Sequence, residues 1–147
     1  LALRSGNRGA LRGSVSLQHP GTGVRATPAY IEFAATQDEL TGYANDALRA
    51  SADAVLADAG LTLDDVAWVV PHQPNGRMLE KIAAHLGVAS SKIVPVVAEV
   101  GSVGAASIPV SLDRLFRERP VKPGDRVLML GVGAGMAYGA ALYQVGA

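Results

Sequence analysis

The sequence predicts an α/β domain, a mixed and mostly parallel sheet of five strands covered by helices. Three observations predict it. From residue 30 onward, apolar runs short enough to be strands alternate with segments of helical periodicity. Strands such as Val94-Pro95-Val96-Val97 and Val127-Leu128-Met129-Leu130 are apolar at every position, as a sheet covered on both faces requires. The last two runs are joined by Gly131-Val132-Gly133-Ala134-Gly135, which closes them into a hairpin.

The first 28 residues stand apart. They carry Arg4, Arg8, Arg12 and Arg25 among glycines and alternate only around Leu11 to His19, so a hairpin and then a loop through Pro20, Gly21 and Pro28 is expected. The domain division is accordingly 1–28 and 29–147. A short strand follows at 30–34. Thr36 with Glu39 forms a capping box, and Leu40, Ala44, Ala47, Leu48, Ser51 and Val55 repeat at helical spacing up to Gly60, which predicts a helix over 38–59. Then come a strand at 66–70, a helix at 75–86, a strand at 92–97, a helix at 103–118 and strands at 125–132 and 136–145. Asn75 can cap the second helix, Gly87 can take its left-handed stop, and Pro120 lies beyond the third. Pro109 should kink that third helix near its start.

Composition narrows the function. With 147 residues, 49% of them hydrophobic and 18% charged, the chain has enough apolar content for one proper core. Net charge is zero, 13 Lys and Arg against 13 Asp and Glu, which argues against nucleic acid or an anionic membrane as partner. No run approaches the roughly 20 apolar residues that span a bilayer, and no apolar signal core opens the chain, so a cytoplasmic protein is expected. The absence of cysteine excludes disulfides, thiolate metal sites and a cysteine nucleophile within these residues. No metal and no bound cofactor are expected. The chain opens on Leu1, so residues upstream of it are expected to have existed.

Four features can carry chemistry. His72 ends the run Val66-Ala67-Trp68-Val69-Val70-Pro71, at the carboxyl end of a buried strand, where open α/β sheets place their ligands. The helix start just beyond favours a neutral imidazole, fit for general base or hydrogen-bond donor, although a bond to nearby backbone would also explain it. Ser102 lies in Gly101-Ser102-Val103-Gly104, where capping a helix is the simpler role. The small run from Gly104 to Ser107 allows close helix packing. The glycine loop at 131–135 leads into a strand and lacks a third spaced glycine, so it is no dinucleotide loop; its amides can instead point at an oxyanion. Arg77, Lys81 and His85 line one stripe of the second helix, opposite Met78, Leu79, Ile82 and Leu86, either solvated or docking an acidic partner.

The runs Pro71-His72-Gln73-Pro74-Asn75-Gly76-Arg77, Gly101-Ser102-Val103-Gly104-Ala105-Ala106-Ser107-Ile108-Pro109 and Gly131-Val132-Gly133-Ala134-Gly135-Met136-Ala137-Tyr138-Gly139-Ala140-Ala141-Leu142 resemble, in order and spacing, the carboxyl-terminal half of the β-ketoacyl-acyl carrier protein synthase III family. The resemblance implies a thiolase-like fold of two βαβαβαββ halves, usually homodimeric, of which 29–147 is the second half and 1–28 the remnant of the first. It implies acyl transfer from an acyl thioester of coenzyme A or acyl carrier protein onto a cysteine in the missing amino-terminal half, then condensation with a malonyl unit. His72 matches the family's catalytic histidine, Ala134 the residue whose backbone amide completes the oxyanion hole, and Arg77 a carrier-protein docking arginine, with Lys81 extending that patch. Ser102 stands where the family has asparagine. A serine hydroxyl is shorter and offers one donor, and losing one preorganised donor costs about a hundredfold to a thousandfold in rate. Transfer to a non-malonyl acceptor needs no enolate and could use His72 alone. Glu99 is a further candidate partner for His72. The rival reading is a non-catalytic assembly or binding subunit with a degenerate site.

Overall fold

The computed structural model describes residues 2–17 and 31–146. Its main sheet has four strands in the order β1 (Ala2–Asn7), β6 (Ala137–Gln144), β5 (Arg126–Gly133), β4 (Trp68–Pro71). β1 and β5 flank β6 antiparallel, and β4 joins β5 in parallel. A second, two-stranded sheet pairs β2 (Val15–Leu17) with β3 (Ile31–Phe33). The α/β class and the mixed sheet are as expected. The strand count of the main sheet is four instead of five, and two of its three pairings are antiparallel. The expected loop through Pro20, Gly21 and Pro28 lies outside the described residues.

The segment at 92–97 accounts for the difference. Only Ile93 reaches the sheet, through a single parallel bridge to Val69. Beyond it, the N–H groups of Val96 and Val97 donate to Gln73 Oε1 at 2.9 and 3.1 Å, and Pro95 has no N–H to give, so the ladder stops. The chain turns into the short helix α3 (Val97–Val100).

The long helices follow their sequence signals. α1 (Gln37–Asp58) opens on a complete capping box: Thr36 Oγ1 accepts from the Glu39 N–H, and the Glu39 carboxylate accepts from the Thr36 N–H at 2.9 Å. α2 (Gly76–Leu86) is capped by Asn75, whose Oδ1 accepts from the Met78 N–H at 2.8 Å, and is stopped by Gly87 at φ +69°. α4 (Ser107–Glu118) follows a 3₁₀ turn at Gly104–Ala106, so it starts later than 103. Pro109 thus sits in the first turn, where its missing N–H has no helical partner, and the helix runs on through it without the expected kink.

The layers follow from the period of two along the strands. Val69, Leu128 and Leu130 pack with Leu48, Val55 and Ile82 on the face covered by α1 and α2; Val70 and Val127 pack with Leu115 beneath α4. The same alternation carried two residues past Val70 turns His72 toward α4. No helix among the described residues is long and apolar enough to cross a membrane.

Candidate active site

His72 is the first residue beyond β4. Its N–H still donates to the Leu130 carbonyl at 2.7 Å, so the main chain stays on β5 for one step past the strand. That anchor fixes where the side chain leaves the sheet. The ring is half-buried, and Nδ1 lies 2.9 Å from Ser107 Oγ at the start of α4. Burial lowers its pKa from the ordinary 6.5, and a backbone hydrogen bond at Gly104 offsets this in part. The imidazole is therefore neutral at neutral pH, able to take a proton or to donate its one N–H.

The ring stands between two hollows. A largely apolar cavity of about 200 Å³ is lined by His72 with Leu40, Met78, Val132, Ala134 and Met136. Leu11, Ser14 and Val15, from the amino-terminal segment, close another side of it. On the α4 side His72 shares a second hollow with Gly104, Ala105, Ile108 and Gly131. Ala134 begins the 3₁₀ turn between β5 and β6, and Gly135 within it adopts φ +117°, a conformation open to glycine and strained for other residues. The structure thus brings His72 and the main chain of Gly133, Ala134 and Gly135 to the wall of one cavity. The glycine loop leads into β6 and not into a helix, as the sequence indicates.

Ser102 is not brought there. It is exposed in the loop after α3, lines neither hollow, and does not cap α4, whose cap position is Ala106 with no side-chain bond. Glu99 is engaged elsewhere: Arg114 Nη1 lies 2.5 Å from its carboxylate, and this guanidinium holds the Glu99 pKa below the usual range. The basic stripe is shared with α1. Lys81 Nζ is 3.4 Å from Asp38, and His85 Nε2 is 3.6 Å from Asp46. Arg77 is exposed at the start of α2 and makes no ion pair among the described residues; it borders a shallow hollow with Asn75, Lys81 and Asp38. No group of three or more His, Asp or Glu among the described residues could hold a metal ion.

Two residues to which the sequence reading gave no part in the site, Gln73 and Ser107, brace it. Gln73 is fully buried: Nε2 donates to the Val94 carbonyl at 2.8 Å and to Ser111 Oγ at 2.9 Å, while Oε1 accepts from Val96 and Val97. Ser107, 1% exposed, meets both His72 and the Gln73 N–H. Ser107 and Ser111 are one helical turn apart among the apolar Ile108, Leu112 and Leu115, a polar seam that helical periodicity could have exposed. Their partners more than 30 residues away have no local signature.

The profile of the family described as 3-oxoacyl-[acyl-carrier-protein (ACP)] synthase III C terminal matches residues 56–145. The β-ketoacyl-[acyl-carrier-protein] synthase III of Neisseria gonorrhoeae is 44% identical over 93 residues, 63% of this chain and 29% of that protein. The synthase III of Hyphomonas neptunium is 40% identical over 98 residues, 67% of this chain and 30% of that protein. Among solved structures, 3-oxoacyl-(acyl carrier protein) synthase III from Pseudomonas aeruginosa superposes with a TM-score of 0.85 at 29% identity, over 100% of this chain and 44% of that one. The priming β-ketosynthase of the R1128 polyketide pathway gives 0.80 at 28% identity, over 98% of this chain and 44% of that one. The matched stretch thus spans about a third of the curated relatives' length, and the fold is that of thiolase-like synthases.

Proposed function

The chain belongs to the 3-oxoacyl-[acyl-carrier-protein] synthase III carboxyl-terminal family, and from that premise we propose that it supplies the carboxyl-terminal half of a cytoplasmic acyltransferase site for acyl thioesters of coenzyme A or acyl carrier protein. One observation carries the reading: a half-buried, neutral His72 and the Gly133–Gly135 main chain share the wall of an apolar cavity. That combination suits a thioester carbonyl, which needs a donor where negative charge develops and a dry wall for its acyl chain.

In this reading the acyl group is carried by a cysteine of an amino-terminal half, the Ala134 amide stabilises the oxyanion formed during transfer, and His72 holds the carbonyl of the incoming unit or deprotonates an acceptor. Residues 1–28 belong with that preceding half and 29–147 form the second; Leu11, Ser14 and Val15 on the cavity wall fit a site built from both. Arg77, exposed and without an ion pair among the described residues, borders the hollow it shares with Asn75 and Lys81 and serves carrier-protein docking with Lys81, within a homodimeric parent protein. With Ser102 exposed and away from both hollows, His72 works without the family's second side-chain donor. This favours transfer to a hydroxyl, amine or thiol over decarboxylative condensation. The same remoteness of Ser102 is what a non-catalytic assembly subunit with a degenerate site would display.

Joining the chain to a cysteine-bearing amino-terminal half separates the two. Given an acyl thioester, the joined protein should gain an acyl adduct by intact mass, and His72→Ala should cut product formation by about a hundredfold to ten-thousandfold. Absence of any adduct would favour the assembly role, and product formation that His72→Ala leaves untouched would overturn the role given to His72.

A further inference from the structure

We propose that Gly131 is a specificity-determining residue: by lacking a side chain it keeps open the hollow on the α4 side of His72, which admits a neutral small-molecule acceptor, an alcohol or a thiol, to the acyl group. Glycine inside a strand weakens it and marks a bulge, a barrel corner, or a close approach of other backbone or of a ligand. The first two do not apply to β5. Its ladder to β6 runs unbroken from Arg126 to Gly133, with Gly131 opposite Gly139, and the sheet is open. Nor does other backbone crowd the position. Among the described residues, a Cβ at Gly131 would meet Ile108 Cδ1 at 3.7 Å and the carbonyl of Gly139, its own ladder partner, at 4.0 Å, both ordinary contacts. Gly131 is not among the glycines with positive φ, so its backbone would accept a side chain. Gly139 differs: a Cβ there would lie 3.0 Å from the Arg4 carbonyl, and the packing of β1 accounts for that glycine. At Gly131 the space a side chain would take belongs to the α4-side hollow, of about 350 Å³.

The two hollows share His72, Val132 and Gly133 and otherwise differ in their walls. Along β5, Val132 packs with the core beneath α1 and α2, and Gly131 faces Ile108 of α4, as the period of two requires. The apolar cavity has its occupant under the proposed function. It holds the Ala134 turn and shares Gln37, Thr41 and Met78 with the hollow bordered by Arg77 and Lys81, so the acyl thioester and its carrier belong on that side. The α4-side hollow is left for the second substrate. Apart from His72 its lining residues are glycines and aliphatic side chains, with no charged group among them. A carboxylate such as that of a malonyl unit would sit there without a partner, whereas a neutral alcohol or thiol has only its proton to give to the imidazole. For a thiol the step balances as follows: the imidazole takes the S–H proton, the acceptor sulfur bonds to the acyl carbon, the bond from that carbon to the cysteine sulfur breaks, and the proton passes to the departing cysteine.

This inference rests on the reading that the site carries acyl thioesters, and loading and unloading of the acyl group test the two separately. The chain joined to a cysteine-bearing amino-terminal half is loaded from acetyl-coenzyme A, and loss of the adduct to ethanethiol, phenylmethanethiol or mercaptoacetate is followed by intact mass. Gly131→Ala should load as the wild type does. Its rate of adduct loss to phenylmethanethiol, relative to ethanethiol, should fall by about tenfold, the worth of one methyl group in a pocket wall. Ile108→Val, which removes the facing Cδ1, should move that ratio the other way. Mercaptoacetate, an anion close to ethanethiol in size, should be the slowest of the three. A ratio that Gly131→Ala leaves unchanged, or mercaptoacetate as fast as ethanethiol, overturns the proposal. So does a folded Gly131→Ala protein that no longer loads, since the hollow would then be filled by the amino-terminal half. Should Gly131→Ala fail to fold, the ratio in Ile108→Val decides alone. Absence of loading in the wild type overturns the acyl-transfer reading itself, and this inference with it.

Discussion

His72 derives its chemistry from a balance between burial and bonding. The main-chain bond to Leu130 keeps the residue on the sheet, the ring is half withdrawn from water, and its protonation becomes harder than in an unfolded chain. The sign of the resulting pH dependence follows directly. An unfolded imidazole titrates near 6.5 and the folded one lower, so between those values the unfolded chain binds the extra proton. The contribution of His72 to stability is complete above 6.5 and is lost as pH falls toward and through the folded value. His72→Asn, which keeps a polar atom near the Nδ1 position, should flatten the decline of urea-unfolding stability just below 6.5 relative to wild type. Parallel curves for the two proteins would show that the ring carries no such shift. The carboxylates held below their usual range, Asp58 by Arg4 and Glu99 by Arg114, act at lower pH and are common to both proteins.

At the scale of elements, the connection between β4 and the 92–97 segment decides the architecture of the site. Gln73→Ala would leave Val94 O, Val96 N, Val97 N and Ser111 Oγ without that partner in a dry interior and should cost about 3 kcal/mol of unfolding free energy. A loss well under 1 kcal/mol would mean that water replaces the amide. This clamp also marks the limit of what the chain discloses locally. The capping box at Thr36, the Asn75 cap, the Gly87 stop and the placement of His72 at a strand end were legible, because each depends on residues within a few positions of one another. The strand expected at 92–97 was not, since its amides are taken by a side chain 23 and 24 residues away. The Pro109 kink failed for a similar reason: the glycine and alanines ahead of Ser107 form a 3₁₀ turn, and moving the helix start moves proline into a tolerated position. Ser107 was read as a packing residue because its partnership with His72 crosses 35 positions of sequence.

For the molecule as a whole, the main sheet carries α1 and α2 on one face and α4 on the other, with the His72 cavity at the end of β4 and β5. Leu3, Ile31 and Phe33 are 75%, 57% and 61% exposed, more apolar surface than an isolated edge needs, and relatives of more than twice this length superpose on it. Under the proposed function, a second half would cover such residues and bring a nucleophile to the cavity. The measurement that bears most directly on this account is a crystal structure of the chain joined to such a half, with a non-hydrolysable acyl-pantetheine analogue bound. The analogue's carbonyl oxygen should lie in the cavity beside His72, within about 2.7 to 3.1 Å of a ring nitrogen of His72 or of the Ala134 amide. An analogue bound with its carbonyl remote from both groups would contradict the account.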